Sequence, residues 1–148
     1  MIENEINYAE FFGNIECNIS SDSKSVGVDK FPTIKVHIKY IGDNPIRISW
    51  DNDFGHVLWN GKFVLVSKSD SGSYDTSDLK FKTSNTYPPR ETVELNKGDE
   101  LTSNLDFSKL PISYEKHLIQ KKFSLVLCGK IDEKSLKTLS NELVFNED

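Results

Sequence analysis

The sequence predicts an all-β fold in which about seven or eight short antiparallel strands form a sandwich. Three features support this prediction: apolar residues recur at every second position, the apolar stretches are short, and clusters of Gly, Asn, Asp and Pro separate them. No stretch has a convincing amphipathic helical period. The chain has 148 residues and no evident linker, so we expect a single domain over residues 1–148.

The clearest alternation lies in the stretch TIKVHIKYI, residues 33–41. One face of this predicted strand is apolar, and the other carries two lysines on either side of His37, which is the pattern of a strand with one buried and one wet face. After a turn cluster at residues 42–45, the stretch IRISW repeats the alternation and places Trp50 inward. The two stretches are therefore predicted to pair as a hairpin.

Further strands are predicted on both sides of this hairpin. Upstream, FFGNIECNI (11–19) alternates well enough to form one, and residues 106–113 suit one short helical turn. The remaining predicted strands are 62–68, 78–82, 91–95, 121–131 and 141–145. The residues predicted to be buried are Ile34, Val36, Ile38, Ile46, Ile48, Trp50, Phe63, Leu65, Val93, Leu95, Phe123, Leu125, Leu127 and Phe145.

The stretch WDNDFGHVLW, residues 50–59, combines two tryptophans with two aspartates and a histidine. Asp51 and Asp53 resemble the start of a calcium loop, but the sixth position, where such a loop needs glycine, is His56, and the twelfth, where it needs glutamate, is Lys62. We therefore interpret this stretch as a turn region, with its aspartates in turn positions. The alternative left open is a module that holds a sugar or metal ion through Asp51, Asp53, His56 and Trp59.

Candidates for catalysis are scarce in the sequence. No two of the His and Cys residues have zinc-ligand spacing, no Gly-x-Ser-x-Gly elbow or phosphate-binding glycine loop is present, and His37 fits a surface histidine. Cys17 and Cys128 lie in predicted strands far apart in the chain, so we expect buried free thiols rather than a disulfide. The sequence therefore predicts no catalytic residue, no metal site, no cofactor and no enzymatic activity.

Charge and hydropathy limit the partners. A net charge of −5 argues against general affinity for nucleic acid or anionic membranes. The N-terminal stretch has no signal-peptide pattern, and no run approaches the ~20 apolar residues of a membrane span. We therefore expect a cytoplasmic protein whose partner is neither nucleic acid nor membrane.

The polar segment 69–90 is the best sequence candidate for a binding loop. It is long for a connection within a compact domain, it is rich in Ser, and it contains Tyr74, Tyr87 and Arg90. Tyr and Arg are enriched at binding hot spots, so these three residues are the predicted partner-binding residues. Deletion of residues 71–86 is expected to leave the sandwich folded and to weaken partner binding.

Three stretches carry a resemblance to a known family: VHIKYIGDNPIRISWDNDFG, VELNKGDELTSNLDFSKL, and FSLVLCGKI followed by LSNELVF. Over about residues 33–145 the chain resembles the N-terminal propeptide domain of deuterolysin-type zinc metalloproteases, and intracellular proteinase inhibitors share a similar pattern. The resemblance implies an immunoglobulin-like sandwich that masks a protease and has no catalytic residue. Two departures are that the stretch PISYEKHLIQKK is longer and more basic than expected, and that residues 1–148 contain no zinc-binding helix of a protease domain.

Together these observations predict a non-catalytic domain that binds another protein, as an immunity-like inhibitor of a protease or toxin. Its contact surface is expected either on the 69–90 segment or at an exposed sheet edge, to which a partner can add a strand.

Overall fold

The computed structural model describes residues 8–25, 32–54, 57, 62–68, 74–75, 91–106, 123–132 and 134–145. Within these residues the chain forms one short helix and ten strands. Helix α1 spans Tyr8–Phe12, and the strands are β1 (Ile15–Ser21), β2 (Thr33–Tyr40), β3 (Ile46–Trp50), β4 (Phe63–Lys68), β5 (Tyr74–Asp75), β6 (Glu91–Leu95), β7 (Glu100–Asp106), β8 (Phe123–Asp132), β9 (Ser135–Thr138) and β10 (Leu143–Phe145).

The strands pair in three antiparallel sheets. The first sheet has the order β1-β2-β7, and the third consists of β3 and β6. The second sheet has the order β10-β8-β4-β5. Strand β9 pairs with β8 along the same edge of β8 that β10 uses. All ten strands therefore take part in antiparallel pairing, which confirms the predicted fold class.

A single hydrophobic core joins the three sheets. Buried side chains such as Ile38 from the first sheet, Leu127 from the second and Ile48 from the third belong to one cluster. Because the inward faces of all three sheets contribute to this cluster, the sheets enclose a shared core, as expected for a sandwich. All predicted core side chains that the structure describes are buried, except Ile46 and Val93, which are partly buried and pack against the cluster. The side chain of Phe123 lies outside the described part.

The predicted hairpin between residues 33–41 and 46–50 is wrong. Both edges of β2 are occupied, by β1 and β7, so β3 pairs with β6 instead. The β3–β6 ladder continues the β2–β7 ladder past a corner, where Tyr40 N donates to Asp99 O at 2.9 Å and Gly98 N donates to Tyr40 O at 2.7 Å. Gly98 has a φ of 94°, a value that favours glycine. The segment between β6 and β7 therefore turns at this residue.

The predicted strand over residues 11–19 is also partly wrong, because its first residues belong to helix α1. Consecutive residues of a strand point to opposite faces, whereas Phe11 and Phe12 are both buried in the core. Phe12 packs so closely on β8 that a Cβ atom added to Gly129 would lie 2.5 Å from its ring. Helix α1 therefore covers one end of the core with two adjacent aromatic rings.

Three strands were not predicted: β5, β7 and β9. In β7 the polar Ser103 occupies the inward position between Leu101 and Leu105, which interrupts the apolar alternation. Its burial is possible because Ser103 Oγ donates to Asp51 O at 2.7 Å. The predicted strand at 78–82 and most of the predicted helical turn at 106–113 lie outside the described residues.

Candidate functional site

The predicted partner-binding residues lie mostly beyond the described part of the chain. Tyr74 begins β5, where its backbone pairs with Lys68 of β4, so a strand interrupts the segment 69–90 near its start. The side chain of Tyr74, and all of Tyr87 and Arg90, lie outside the described residues. The binding role of these three residues therefore stays a prediction.

The first residues of the stretch 50–59 form a turn that is hydrogen-bonded to β7. Asp51 Oδ1 accepts a hydrogen bond from Asp53 N at 2.9 Å, which confirms the turn role predicted for Asp51. Asn104 N donates to Asn52 O at 2.9 Å and holds the turn against the edge of β7. Of the four residues in the ligand-binding alternative, His56 and Trp59 lie outside the described part.

Phe54 and Val57, which the sequence analysis did not assign to the core, anchor this turn region. Both are buried, and the ring centroid of Phe54 lies 6.0 Å from Trp50 and 5.6 Å from Phe63. Trp50 is itself buried, and its Nε1 donates to Thr102 O at 3.0 Å. The inward position predicted for Trp50 is confirmed, so this tryptophan belongs to the core rather than to an exposed binding platform.

A small open pocket lies beside this turn. It has a volume of about 160 Å³ and is lined by Trp50, Asp51, Asn52 and Glu91. Trp50 pairs with Glu91 in the β3–β6 ladder, so the pocket lies where the 50–59 stretch begins and the 69–90 segment ends. Across the described ranges, no group of three His, Cys, Asp or Glu side chains is arranged to hold a metal ion.

The two cysteines are buried free thiols, as predicted. Cys17 belongs to the central core, whereas Cys128 belongs to a second, smaller cluster with Val66 and Val126. Burial raises the pKa of the Cys17 thiol to about 12 and also raises the pKa of Cys128. Since the thiolate is the reactive form, both thiols are poor nucleophiles in the folded protein.

Strand β9 and the end of β8 form an exposed hairpin. All four residues of β9 are exposed, and near the end of β8 Ile131 is 40% exposed. Leu136 of β9 is 44% exposed. The connecting turn is ordered by Lys134 N, which donates to Asp132 Oδ1 at 2.8 Å. The hairpin therefore presents two apolar side chains on a defined backbone.

One side of β9 has no partner strand among the described residues. Just after β9, Leu139 N donates to Leu127 O at 2.9 Å, so the backbone of residue 139 faces β8. In an antiparallel pair the backbone groups of successive residues point to opposite sides. The N–H and C=O groups of Leu136 and Thr138 therefore point away from β8, along an open sheet edge.

Lysines lie on both strands of this hairpin. Lys137 lies opposite Gly129 in the ladder, and Lys130 lies opposite Leu136. On the other side of β8 from β9, Lys130 N donates to Lys62 O at 2.8 Å, and Lys62 Nζ lies 5.8 Å from the ring centroid of Tyr8. Lys134 adds a further charge at the turn, and none of these four lysines forms an ion pair within the described ranges. The hairpin turn also carries Asp132 and Glu133, so the excess of positive charge along the paired strands comes from Lys130 and Lys137.

Strand β9 of this hairpin was not predicted because three of its four residues are polar. The strand SLKT has a single apolar residue, so no alternation marks it. The signals that were present are the Asp-Glu-Lys turn at residues 132–134 and the isolated Ile131 and Leu136 on either side of it.

No helix in the described part of the chain is long and apolar enough to cross a membrane. In comparisons with known proteins, no family model matches the chain, and no curated protein matches its sequence.

Proposed function

We propose that this chain is a non-catalytic domain that binds another protein by adding a strand of that protein to β9. The observation that carries the proposal is the open edge at Leu136 and Thr138, on a strand whose four residues are all exposed. In strand addition, hydrogen bonds between main chains supply affinity, and neighbouring side chains supply specificity. The exposed Ile131 and Leu136 supply apolar contact area beside that edge.

Natural sheets usually cover or shorten their edges, because an open edge can pair with another chain. The edge of β1 follows this rule, because the backbone of Ile19 is hydrogen-bonded by the side chain of Asn141. The edge of β9 has no such cover within the described residues. This difference between the two edges favours β9 as the contact surface.

The resemblance to inhibitory propeptide domains leads to a more specific form of the proposal. In that form the chain acts in the cytoplasm and inhibits a protease or neutralises a toxin by occupying an extended groove or strand edge of its target. Tyr74, Tyr87 and Arg90 would then add contacts outside the strand pairing.

Selection of random peptides on the folded chain tests the proposal. The expected result is that selected peptides slow hydrogen exchange at the amides of Leu136 and Thr138. The backbone N–H of Leu136 points away from β8, so Leu136→Pro removes an edge donor without breaking the β8–β9 ladder.

Leu136→Ala is the matched control because it removes the same side chain and keeps the N–H. Peptide binding should survive Leu136→Ala, with reduced affinity, and should be lost in Leu136→Pro. Equal binding to both variants, or protection at amides elsewhere in the chain, would contradict the proposal.

The second candidate function is a small-ligand site at the pocket of Trp50, Asp51, Asn52 and Glu91. The observation in its favour is that two carboxylates and an indole line an opening of about 160 Å³. Titration with calcium, zinc or simple sugars, followed by tryptophan fluorescence and melting temperature, tests this function. A ligand-induced shift that disappears in Glu91→Gln would support it, and unchanged melting with every ligand would rule it out.

A further inference from the structure

We infer that the strand that β9 accepts is acidic: an extended segment of the partner protein in which carboxylates alternate with apolar side chains. This inference rests on the proposed function and adds the chemistry of the partner.

The first step concerns Lys137. Its neighbour across the ladder on β8 is Gly129, which has no side chain. Gly129 is constrained at this position because the ring of Phe12 fills the space that a Cβ atom would occupy. Lys137 is exposed and has no ion pair among the described residues, so it has no cross-strand partner within its own sheet. A strand added to the open edge would place a residue directly beside Lys137, where an opposite charge is favoured.

The second step concerns the other face of β9. Leu136 is 44% exposed and lies opposite Lys130, whose backbone in turn bonds to Lys62. An apolar residue of the added strand opposite Leu136 would cover it, because residues directly opposite each other lie within contact distance. The positions that flank it lie on the face of Lys137, where acidic residues are favoured. The resulting pattern is acidic on one face of the added strand and apolar on the other.

A second copy of this chain fits the edge less well. Antiparallel pairing of two β9 strands with Leu136 opposite Thr138 would place Lys137 opposite its own copy, and like charges directly opposite are unfavourable. The alternative register, centred on Leu136, would place Lys137 opposite Ser135, so the lysine would gain no opposite charge. Charge complementarity therefore favours an acidic partner strand over self-association.

Two synthetic peptides that differ only in charge test the inference. Both are capped and have the sequence Gly-Thr-X-Val-X-Thr-Gly, with X as Glu in one and Lys in the other. The glutamate peptide should bind at least about tenfold more tightly at low ionic strength, and the difference should shrink as salt screens the charges. Slowed hydrogen exchange at Leu136 and Thr138 shows that binding takes place at the edge.

A charge-reversal variant makes the test specific. Lys137→Glu should reverse the preference so that the lysine peptide binds more tightly. Lys24→Glu is the matched control: Lys24 is exposed in the segment after β1, and the same charge change there should leave the preference unchanged.

The outcomes separate the inference from the proposed function. Equal binding of both peptides, with protection of the edge amides, would overturn the acidic preference and leave strand addition standing. No protection by either peptide, or by any selected peptide, would overturn both. Tighter binding of a short oligothymidylate than of the glutamate peptide, or a concentration-dependent dimer abolished by Leu136→Pro, would overturn the acidic strand as the occupant.

Discussion

The side chain of Asn141 hydrogen-bonds to both backbone groups of Ile19. Ile19 N donates to Asn141 Oδ1 at 2.8 Å, and Asn141 Nδ2 donates to Ile19 O at 3.0 Å. The amide thus takes the place of a neighbouring strand residue at the edge of β1. It lies between β9 and β10, next to Ser140, whose Oγ accepts from Leu127 N at 2.9 Å. The segment of Ser140 and Asn141 between β9 and β10 therefore connects the second sheet to the first by hydrogen bonds.

The first prediction is that Asn141→Asp destabilises the fold. The substitution removes the Nδ2 donor and places a carboxylate oxygen near Ile19 O, so the free energy of unfolding should fall by about 1–2 kcal/mol. Urea denaturation measures this change. Asn18→Asp makes the same charge change at an exposed residue beside Ile19, and it should cost less than about 0.5 kcal/mol. Equal effects of the two substitutions would show that the hydrogen bonds between Asn141 and Ile19 contribute nothing to the free energy of unfolding.

The second prediction concerns Trp50. Trp50→Ala should lower the free energy of unfolding by about 3–5 kcal/mol, because it removes a large buried ring that contacts Phe54 and Phe63. Trp50→Phe keeps an aromatic ring but loses the donor to Thr102 O, so a smaller cost of about 1–2 kcal/mol is expected. Chemical denaturation of the three proteins checks both values. A cost below about 1 kcal/mol for the alanine variant would contradict the packing of this region.

The third prediction is that both cysteines are unreactive until the protein unfolds. Cys17 and Cys128 lie in separate buried clusters and are free thiols. A thiol reagent should therefore label neither residue in the folded protein and both after denaturation without reductant. Recovery of a Cys17–Cys128 disulfide from cells would contradict this arrangement.

The fourth prediction is that alkaline pH destabilises the fold through Cys17. Burial raises the pKa of this thiol from 9.0 to about 12. Between these values the unfolded chain loses a proton that the folded chain keeps, so the free energy of unfolding should fall as pH rises. The contribution is fully present below pH 9 and declines by up to about 1.4 kcal/mol per pH unit as pH rises towards 12.

Denaturation at several alkaline pH values measures this effect. The stability difference between wild type and Cys17→Ala should shrink as pH rises. Ile19→Val, at the next inward position of β1, does not titrate, and its difference from wild type should stay constant. Parallel pH profiles for wild type and Cys17→Ala would exclude the thiol as the cause.

The fifth prediction is that deletion of residues 71–86 leaves the sandwich folded. The deletion removes β5, which is a two-residue edge strand that pairs with Ser67 and Lys68 at the end of β4. The β4–β8 ladder does not depend on it, so cooperative unfolding should persist. Circular dichroism during thermal unfolding checks this result. Loss of the cooperative transition would show that the segment is part of the folded structure.

The orientation of side chains along β2 and β3 could be predicted from the sequence because alternation is a local property of an extended chain. Ile34, Ile48 and Trp50 are buried as expected, whereas Lys35 and Lys39 are exposed. The outward-facing His37 is also a surface histidine, and its Nε2 lies 2.7 Å from Glu100 Oε1. Periodicity therefore determined which face of each strand is buried.

The choice of strand partners was decided only by the tertiary structure. Residues 42–45 have the composition of a hairpin turn, but β2 already has β1 and β7 on its two edges, so the chain turns a corner and β3 pairs with β6. The composition of residues 42–45 indicates only that the chain bends there. Which strands pair depends on which strand edges remain free when all strands have packed. For the same reason, the composition of residues 69–90 predicted a binding loop there, although the open edge that supports the proposed function lies on β9.

Local sequence alone determined that the chain forms short strands around a core, that Trp50 is inside it, and that the two cysteines are buried thiols. The tertiary structure decided that Phe11 and Phe12 enter the core from a helix and that Ser103 is buried against Asp51. It also decided that Lys137 lies beside a glycine at an open edge. The physical reason is that alternation depends on neighbours in the chain, whereas burial of polar groups and exposure of an edge depend on residues distant in sequence.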